Sequence, residues 1–175
     1  MLVISNHART VGVPFPPEAV VRINVAWMSD EASILRAYAD ALPNRCLLDY
    51  PTGRTKPPRP YLTLEQTLSI LARYPASFPY FAFSNAEDPT SVREMRARVP
   101  EGVQLVPKIE TLRGVAQLGE IVGAAKCARV LLDAEDLYID CRTDVAVFED
   151  AKARVVAWCA ANGVECLRLR GVIFG

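Results

Sequence analysis

Short β-rich runs alternate with longer amphipathic helical patterns along most of the chain, and this alternation limits the fold more than any other feature. Strands that are joined through helices pair in parallel, because the helix returns the chain to the same end of the sheet. We therefore expect an α/β fold built on a parallel sheet. The predicted strands are Leu2–Ser5, Val20–Ala26, Arg45–Asp49, Tyr80–Phe83, Val103–Lys108, Arg129–Asp133 and Val164–Leu169, with Gly171–Phe174 as an extension of the last.

The helices between these strands have recognisable starts. Thr63 with Gln66 three residues later is typical of a capping box, in which each side chain satisfies a free amide at the start of a helix. Arg9–Ala19 contains three prolines and should not be helical, and Thr52–Pro60 is predicted to be an extended basic loop. The predicted helices are Glu31–Leu42, Leu64–Tyr74, Thr90–Arg98, Thr111–Ala124 and Val147–Asn162.

Composition excludes several classes of protein. The 175 residues are 51% hydrophobic, which suits a single domain over residues 1–175 whose core needs neither disulfides nor a structural metal. The net charge of zero argues against a nucleic-acid partner. The longest apolar run, Val155–Ala161, is far shorter than the roughly 20 residues of a membrane span, so we expect no membrane association.

The cysteines and the single histidine form no motif that is typical of a redox, metal or catalytic site. Five cysteines, an odd number without a CxxC motif, are interpreted as reduced core thiols of a cytoplasmic protein. His7 is the only histidine, which excludes an HExxH zinc site and favours a surface position for that residue. Gly114 and Gly119 have the spacing of a phosphate-binding loop, but Glu120 stands where that loop needs lysine.

Polar residues at alternate positions interrupt three of the predicted strands. Alternate residues of a strand point to the same face, so both members of each pair share one side of the sheet. Such pairs are costly inside a sheet that is covered on both faces, unless they form a site. Each pair alone also fits a structural role, as an ion pair at a strand end or as charge at an exposed edge. The pairs are Arg22 with Asn24, Lys108 with Glu110, and Arg168 with Arg170.

Carboxylates follow the strands at matching ends. Asp49 closes one strand, and Asp133 and Asp136 follow another. In a barrel these strand ends would meet at one rim, where barrel active sites are built. Glu110 and Asp136 are then placed to bind a hard divalent cation through oxygen, with Lys108 beside it.

Several of these segments together resemble the central barrel of pyruvate kinase and its phosphoenolpyruvate/pyruvate superfamily, to which the citrate lyase β-subunit and the HpcH aldolases are related. The resemblance runs in order from about Val20 to Gly163. The segments that carry it are Arg22-Ile23-Asn24, Leu48-Asp49 with Arg54-Thr55, Leu62-Thr63, Ala86-Glu87-Asp88 with Val92-Arg93, Val106–Thr111 with Gly114-Val115 and Glu120-Ile121, and Leu131–Leu137.

This resemblance implies an incomplete TIM-type (β/α) barrel with about seven strands, without the lid and C-terminal domains of the kinases. The eighth strand is missing, so we expect an open flank between the first and last strands. An open sheet edge needs a cover. We therefore expect a partner chain or the N-terminal segment to close it, and a homodimer or other homo-oligomer is the natural form.

The resemblance also assigns a metal and a cation to the site. Glu110 and Asp136 would bind Mg²⁺ or Mn²⁺, and Lys108 would stabilise an enolate oxygen or a phosphoryl group. Asn24 and Asp49 match positions that hold K⁺ in the kinases, although the serine expected two residues after Asn24 is an alanine.

Three arginines are expected to bind the anionic substrate. Arg22 would bind its phosphate or carboxylate and take part in catalysis. Arg54 lies in the loop that matches the family, and Arg170 lies near the position of a substrate-binding threonine.

The expected function is metal-dependent enolate chemistry on a pyruvate- or phosphoenolpyruvate-like 2-oxo acid, either of the aldolase or lyase type or by phosphoryl transfer. Two alternatives stay open. One is a catalytically degenerate barrel that acts as a binding or scaffold protein, and the other is a true pyruvate kinase fragment. Metal binding separates the first from an enzyme, and ADP-dependent pyruvate formation tests the second.

Overall fold

A computed structural model describes residues 2–6, 16–53 and 57–173, which form alternating strands and helices. The strands are β1 (Leu2–Asn6), β2 (Ala19–Asn24), β3 (Arg45–Tyr50), β4 (Tyr80–Phe83), β5 (Gln104–Ile109), β6 (Arg129–Leu132) and β7 (Glu165–Ile173). The helices are α1 (Glu31–Ala41), α2 (Leu64–Arg73), α3 (Pro89–Arg98), α4 (Leu112–Ala116), α5 (Leu118–Ala125), α6 (Ala134–Asp140) and α7 (Val145–Ala161), and a 3₁₀ turn spans Val25–Trp27.

The sheet is parallel and closes on itself. Six strands, β2 to β7, pair in chain order, and the short strand β1 pairs in parallel with both β2 and β7. The α/β class with a parallel sheet is therefore confirmed. Within the described residues the barrel has fewer strands than the eight of a complete TIM barrel.

The expected open flank between the first and last strands is wrong. Strand β1 lies between β2 and β7, and its residues pair with β7 from Arg168 to Ile173. The register shifts between Val3 and Ile4, where β7 contributes one extra residue. Because the chain closes its own sheet here, an open flank gives no argument for a partner subunit.

Two predicted elements differ from the structure, and one helix of the structure was not predicted. Strand β2 ends at Asn24, because the Asn24 side chain accepts the Ala26 amide and begins a turn. The helix expected over Thr111–Ala124 is divided at Gln117 into α4 and α5. Helix α6 was not predicted, and it begins where Asp133 accepts the Asp136 amide.

Alternation along the strands divides the apolar residues into two cores. One set points outward and packs against the helices. The other set fills the middle of the barrel, so the interior is a packed layer rather than a pore. This inner layer consists of Val20, Leu47, Tyr80, Ala82, Val106, Leu131 and Leu167.

A polar network fills the end of the barrel where the strands begin. Arg129 donates to Glu165 at 2.8 Å and to Gln104 at 2.6 Å. Arg45 donates to the Tyr80 hydroxyl at 2.9 Å, and the guanidinium groups of Arg45 and Arg129 both lie against the Tyr80 ring. With this end closed by side chains, the opposite end is left for a binding site.

All five cysteines are free in the structure. Cys46, Cys141 and Cys159 are buried, and Cys127 and Cys166 are half-buried. Among the described residues, no helix combines the length and the apolar character that crossing a membrane requires.

Truncation of the inner layer should destabilise the barrel strongly. Leu47 is 0% exposed, so we expect Leu47→Ala to lower the free energy of unfolding by about 2–5 kcal/mol through lost contacts and a new cavity. Leu42, which is 54% exposed, gives the matched control, and Leu42→Ala should change the free energy by about 0.5 kcal/mol or less. Urea unfolding followed by circular dichroism measures both values, and equal losses would contradict an interior packed around Leu47.

Candidate active site

The strand ends opposite the polar network surround a cavity of about 320 Å³. Its wall combines side chains from β2, β5 and α6 with the loops that follow β3 and β4. In barrels of this type the loops at the carboxyl ends of the strands form the active site. The residues that line the cavity are Arg22, Asn24, Pro51, Thr52, Gly53, Ser84, Asn85, Lys108, Glu110, Thr111, Asp136, Ile139 and Asp140.

Lys108 occupies the centre of this polar end. Its Nζ lies 3.0 Å from Glu110 Oε2, 3.2 Å from Asp133 Oδ2 and 3.8 Å from Asp49 Oδ2, and it donates to Ser84 Oγ at 3.1 Å. The side chain is only 3% exposed. Burial alone would lower the pKa of Lys108, but the three carboxylates outweigh burial and raise it, so the ammonium stays charged.

Arg22 and Asp49 form a buried ion pair beside Lys108. Asp49 Oδ2 accepts from Arg22 Nε at 2.7 Å and lies 2.5 Å from Arg22 Nη2. Burial lowers the pKa of Arg22, but Asp49, Asp133 and Glu110 outweigh burial and raise it. Within the described residues Asp49 Oδ1 has no hydrogen-bond partner, although the residue is completely buried. Because these carboxylates keep Arg22 charged and Asp49 holds its guanidinium in place, the arginine presents a fixed positive charge at the cavity wall.

Three carboxylates converge beside the lysine. One oxygen from each of Glu110, Asp133 and Asp136 lies within 4.8 Å of the other two. Glu110 Oε1 accepts the Asn85 amide at 2.7 Å, while the buried Oε2 accepts no hydrogen bond in the described structure and faces the Lys108 ammonium as an ion pair. Hard oxygen donors at this spacing fit a small divalent cation such as Mg²⁺.

The pKa values of the two carboxyl groups nearest Lys108 shift in opposite directions. Burial raises the pKa of Glu110, and the attraction of Lys108 and the hydrogen bond from Asn85 only partly oppose it. For Asp133 burial acts in the same direction, but Lys108 and Arg22 outweigh it and lower the pKa. Asp133 is therefore held as a carboxylate, while Glu110 lacks a full set of partners for its charge.

Main-chain geometry fixes these side chains. Asn85 adopts φ 58°, a left-handed conformation that asparagine tolerates, and it directs its amide to Glu110. Its side chain donates to the Thr52 carbonyl at 2.6 Å, which ties the loop after β4 to the loop after β3. Gly53 suits φ 70°, a conformation that L side chains rarely adopt, and a Cβ there would lie 3.0 Å from Asn85 Nδ2.

The structure brings together most of the residues that the sequence pointed to. Arg22, Asn24, Lys108, Glu110 and Asp136 all line the cavity, and Asp49 lies directly behind Arg22 and Lys108. The side chains of His7, Arg54 and Arg170 fall outside the described residues, so their expected positions stay predictions.

The two predicted K⁺ ligands both have partners within the protein. The Asn24 oxygen accepts the Ala26 amide and Asp49 Oδ2 binds Arg22, while the buried Asp49 Oδ1 has no hydrogen-bond partner in the described structure, so K⁺ binding stays a prediction. Arg168 lies on the face of β7 opposite to Leu167, which points into the barrel, so Arg168 does not enter the cavity with the other polar pairs.

Sequence reasoning missed Ser84 and Asn85 and gave Asp133 no specific role. Ser84-Asn85 directly follows β4, and the rule that polar residues at strand ends build the site would have found both. Asp133 follows β6 in the same way, but its contact with Lys108 depends on the pairing of β5 with β6.

Comparison with known proteins supports the fold. No family model and no curated protein matches the sequence. RipC from Yersinia pestis is 18% identical with a TM-score of 0.63, over 95% of this chain and 74% of that one. The citrate lyase beta subunit of M. tuberculosis, complexed with oxaloacetate and magnesium, is 17% identical with a TM-score of 0.61, over 96% and 77%. Macrophomate synthase is 13% identical with a TM-score of 0.67, over 98% and 78%.

The chain has the fold of the citrate lyase beta subunit and macrophomate synthase. At these identities the likeness shows the fold alone. The fold is thus shared with a citrate lyase beta subunit, and pyruvate kinase is not indicated.

Removal of the central lysine should destabilise the protein in a pH-dependent way. In Lys108→Met the buried carboxylates Glu110 and Asp133 lose their shared cation, and we expect a loss of about 3–5 kcal/mol at pH 8. Without the lysine, burial should raise the pKa of Asp133. A raised carboxyl pKa favours the folded state below the ordinary pKa and disfavours it above, so the loss should shrink as the pH falls toward 5.

Lys152→Met is the matched control, because Lys152 forms a surface ion pair with Glu149. It should cost about 1 kcal/mol or less at either pH. Urea unfolding at pH 5 and pH 8 gives all four differences. A loss for Lys108→Met that is independent of pH would contradict the assigned electrostatic origin.

Proposed function

We propose that the chain is a Mg²⁺-dependent lyase that cleaves or forms a carbon–carbon bond in a small 2-oxo acid through an enolate. The observation that carries this proposal is the convergence of Glu110 and Asp136 with the Lys108 ammonium at the open end of the barrel. A structural neighbour was solved with oxaloacetate and magnesium, and another with magnesium, acetoacetate and coenzyme A. These neighbours support a lyase reaction and give no support to phosphoryl transfer.

Glu110 and Asp136 would hold the metal. When bound there, Mg²⁺ would act as a Lewis acid on the 2-oxo group and carboxylate of the substrate. Mn²⁺ prefers the same oxygen ligands and should replace it.

Lys108 and Arg22 supply the fixed positive charge that the chemistry needs. As the bond between C3 and C4 breaks, its electron pair becomes the enolate. The fragment that contains C4 leaves as carbon dioxide from an ionised carboxylate, or as an aldehyde or a ketone when the C4 hydroxyl gives its proton to water. The Lys108 ammonium would stabilise the developing negative charge on the C2 oxygen, and a proton added at C3 completes the product. The guanidinium of Arg22 at the cavity wall would bind a carboxylate of the substrate.

The size of the cavity limits the substrate. A volume of about 320 Å³ lies at the low end of the roughly 300–1,000 Å³ of ligand sites, so a short-chain acid fits best. Pro51 and Ile139 add an apolar part to an otherwise polar wall, which suits the carbon chain beyond C3.

Calorimetric titration with Mn²⁺ tests the metal site directly. We expect binding that oxalate, a mimic of enolpyruvate, strengthens. Replacement of a ligand should cost more than the roughly 10–100-fold that supporting residues cost, so Glu110→Gln and Asp136→Asn should abolish measurable binding. Glu120→Gln, which removes an exposed carboxylate of α5, should bind as the unmodified protein does. Absence of binding in the folded unmodified protein would contradict the enzyme and favour a scaffold.

Release of pyruvate from a panel of 2-oxo acids tests the reaction. Oxaloacetate and 4-hydroxy-2-oxo acids of different chain length are incubated with the protein and Mg²⁺, and pyruvate is detected by coupled reduction to lactate. We expect turnover of at least one acid, loss of turnover with EDTA or in Glu110→Gln, and normal turnover in Glu120→Gln. Glu110→Gln also corrects for the spontaneous decarboxylation of oxaloacetate. Metal and oxalate binding without turnover across the panel would favour a degenerate binding protein.

A further inference from the structure

We infer that Asp133 is a third carboxylate ligand of the divalent cation, on the side of the ion that faces away from the cavity. The inference rests on the proposed function, because it concerns the same metal. It adds to Glu110 and Asp136 a residue whose role the sequence did not reveal.

The first argument is the position of the Asp133 oxygens. An oxygen of Asp133 lies within 4.8 Å of oxygens from both Glu110 and Asp136. Ligands on neighbouring corners of a Mg²⁺ octahedron are about 3 Å apart and those on opposite corners about 4 Å, given metal–oxygen distances of about 2.1 Å. A small closure of the three carboxylates therefore brings all of them onto one ion.

The second argument is that the backbone holds Asp133 beside Glu110. The Asp133 amide donates to the Ile109 carbonyl at 3.1 Å, which fixes the two chain segments next to each other directly before Glu110. The Asp133 side chain also accepts the Asp136 amide at 3.4 Å through Oδ1, while its Oδ2 lies 3.2 Å from Lys108 Nζ. These two backbone amides thus connect the segment that carries Glu110 with the segment that carries Asp133 and Asp136.

The third argument is the buried oxygen of Glu110 that faces this group. Glu110 Oε2 is buried, its side chain being only 6% exposed, and it pairs with the Lys108 ammonium at 3.0 Å, which Asp133 and Asp49 share. A buried carboxylate oxygen normally has a hydrogen-bond donor or a metal. The position of this oxygen among Asp133, Asp136 and Lys108 is consistent with a cation that the three acids share.

Asp133 also lies where a ligand would not obstruct the substrate. It is not one of the residues that line the cavity, whereas Glu110, Asp136 and Lys108 are. It would therefore complete the protein's share of the metal shell and leave the positions that face the cavity for water and substrate. Three monodentate carboxylates leave three of six positions open, and two leave four.

The number of metal-bound waters distinguishes a ligand from a residue that only supports Lys108. Mn²⁺ is bound to the full-length protein, and electron paramagnetic resonance in ¹⁷O-labelled water counts the waters on the ion, without oxalate and with it. We expect three waters in the unmodified protein and one after oxalate binds. Asp133→Ala should gain one water in each state and weaken Mn²⁺ binding by roughly 100-fold or more in calorimetry, beyond what a supporting residue costs.

Two further variants control this experiment. Asp133→Asn keeps the shape and a weaker oxygen ligand, so it should bind Mn²⁺ better than Asp133→Ala, and it replaces that variant if Asp133→Ala does not fold. Glu135→Gln removes a neighbouring charge on α6 and should leave the water count unchanged. An unchanged count in Asp133→Ala, or in Asp133→Asn if that variant is used, together with Mn²⁺ and oxalate binding in the unmodified protein, would overturn this inference alone. No Mn²⁺ binding in the unmodified protein would instead overturn the proposed function.

Discussion

The ion pairs of Lys108 hold the functional end of this barrel together. A buried ammonium without partners would cost several kcal/mol, and buried carboxylates without a cation would cost as much. Glu110 reaches the lysine from the same strand, Asp49 from β3, Ser84 from the end of β4 and Asp133 from the end of β6. One side chain thus fixes the relative positions of four strand ends, and any ligand of the cavity meets a surface that is already organised.

The apolar layer in the middle of the barrel makes this polar end possible. Residues such as Leu47 and Val106 separate the site from the network around Arg129 at the other end. They exclude water from beneath Lys108, which strengthens the interactions of the charged groups. Successive inward-facing residues of one strand therefore serve first the core and then the site. On β5, Val106 belongs to the apolar layer, and Lys108, two residues later, belongs to the site.

Much of the site could be predicted from sequence because its residues break a strong pattern. Lys108 and Glu110 interrupt a buried parallel strand, and charged residues in that setting are costly unless they are paired or form a site. Ser84 and Asn85 break no such pattern, since polar residues after a strand are also typical of an ordinary loop. The closure of the sheet by β1 was missed because it depends on pairing between residues at opposite ends of the chain, which no local pattern reports. The division of the helix at Gln117 was missed as well, because glutamine is a good helix former and marks no break in the local pattern.

The charge of the site gives an independent reason for a metal. Asp49, Glu110, Asp133 and Asp136 supply four carboxylates at this end of the barrel, and Arg22 and Lys108 supply two positive charges. Burial already raises the pKa of Glu110 because the available cations do not fully compensate its charge. A structural role would be served as well by two acids as by four, since each added buried carboxylate costs stability. A divalent cation would balance this set, and this charge balance supports the proposed metal site.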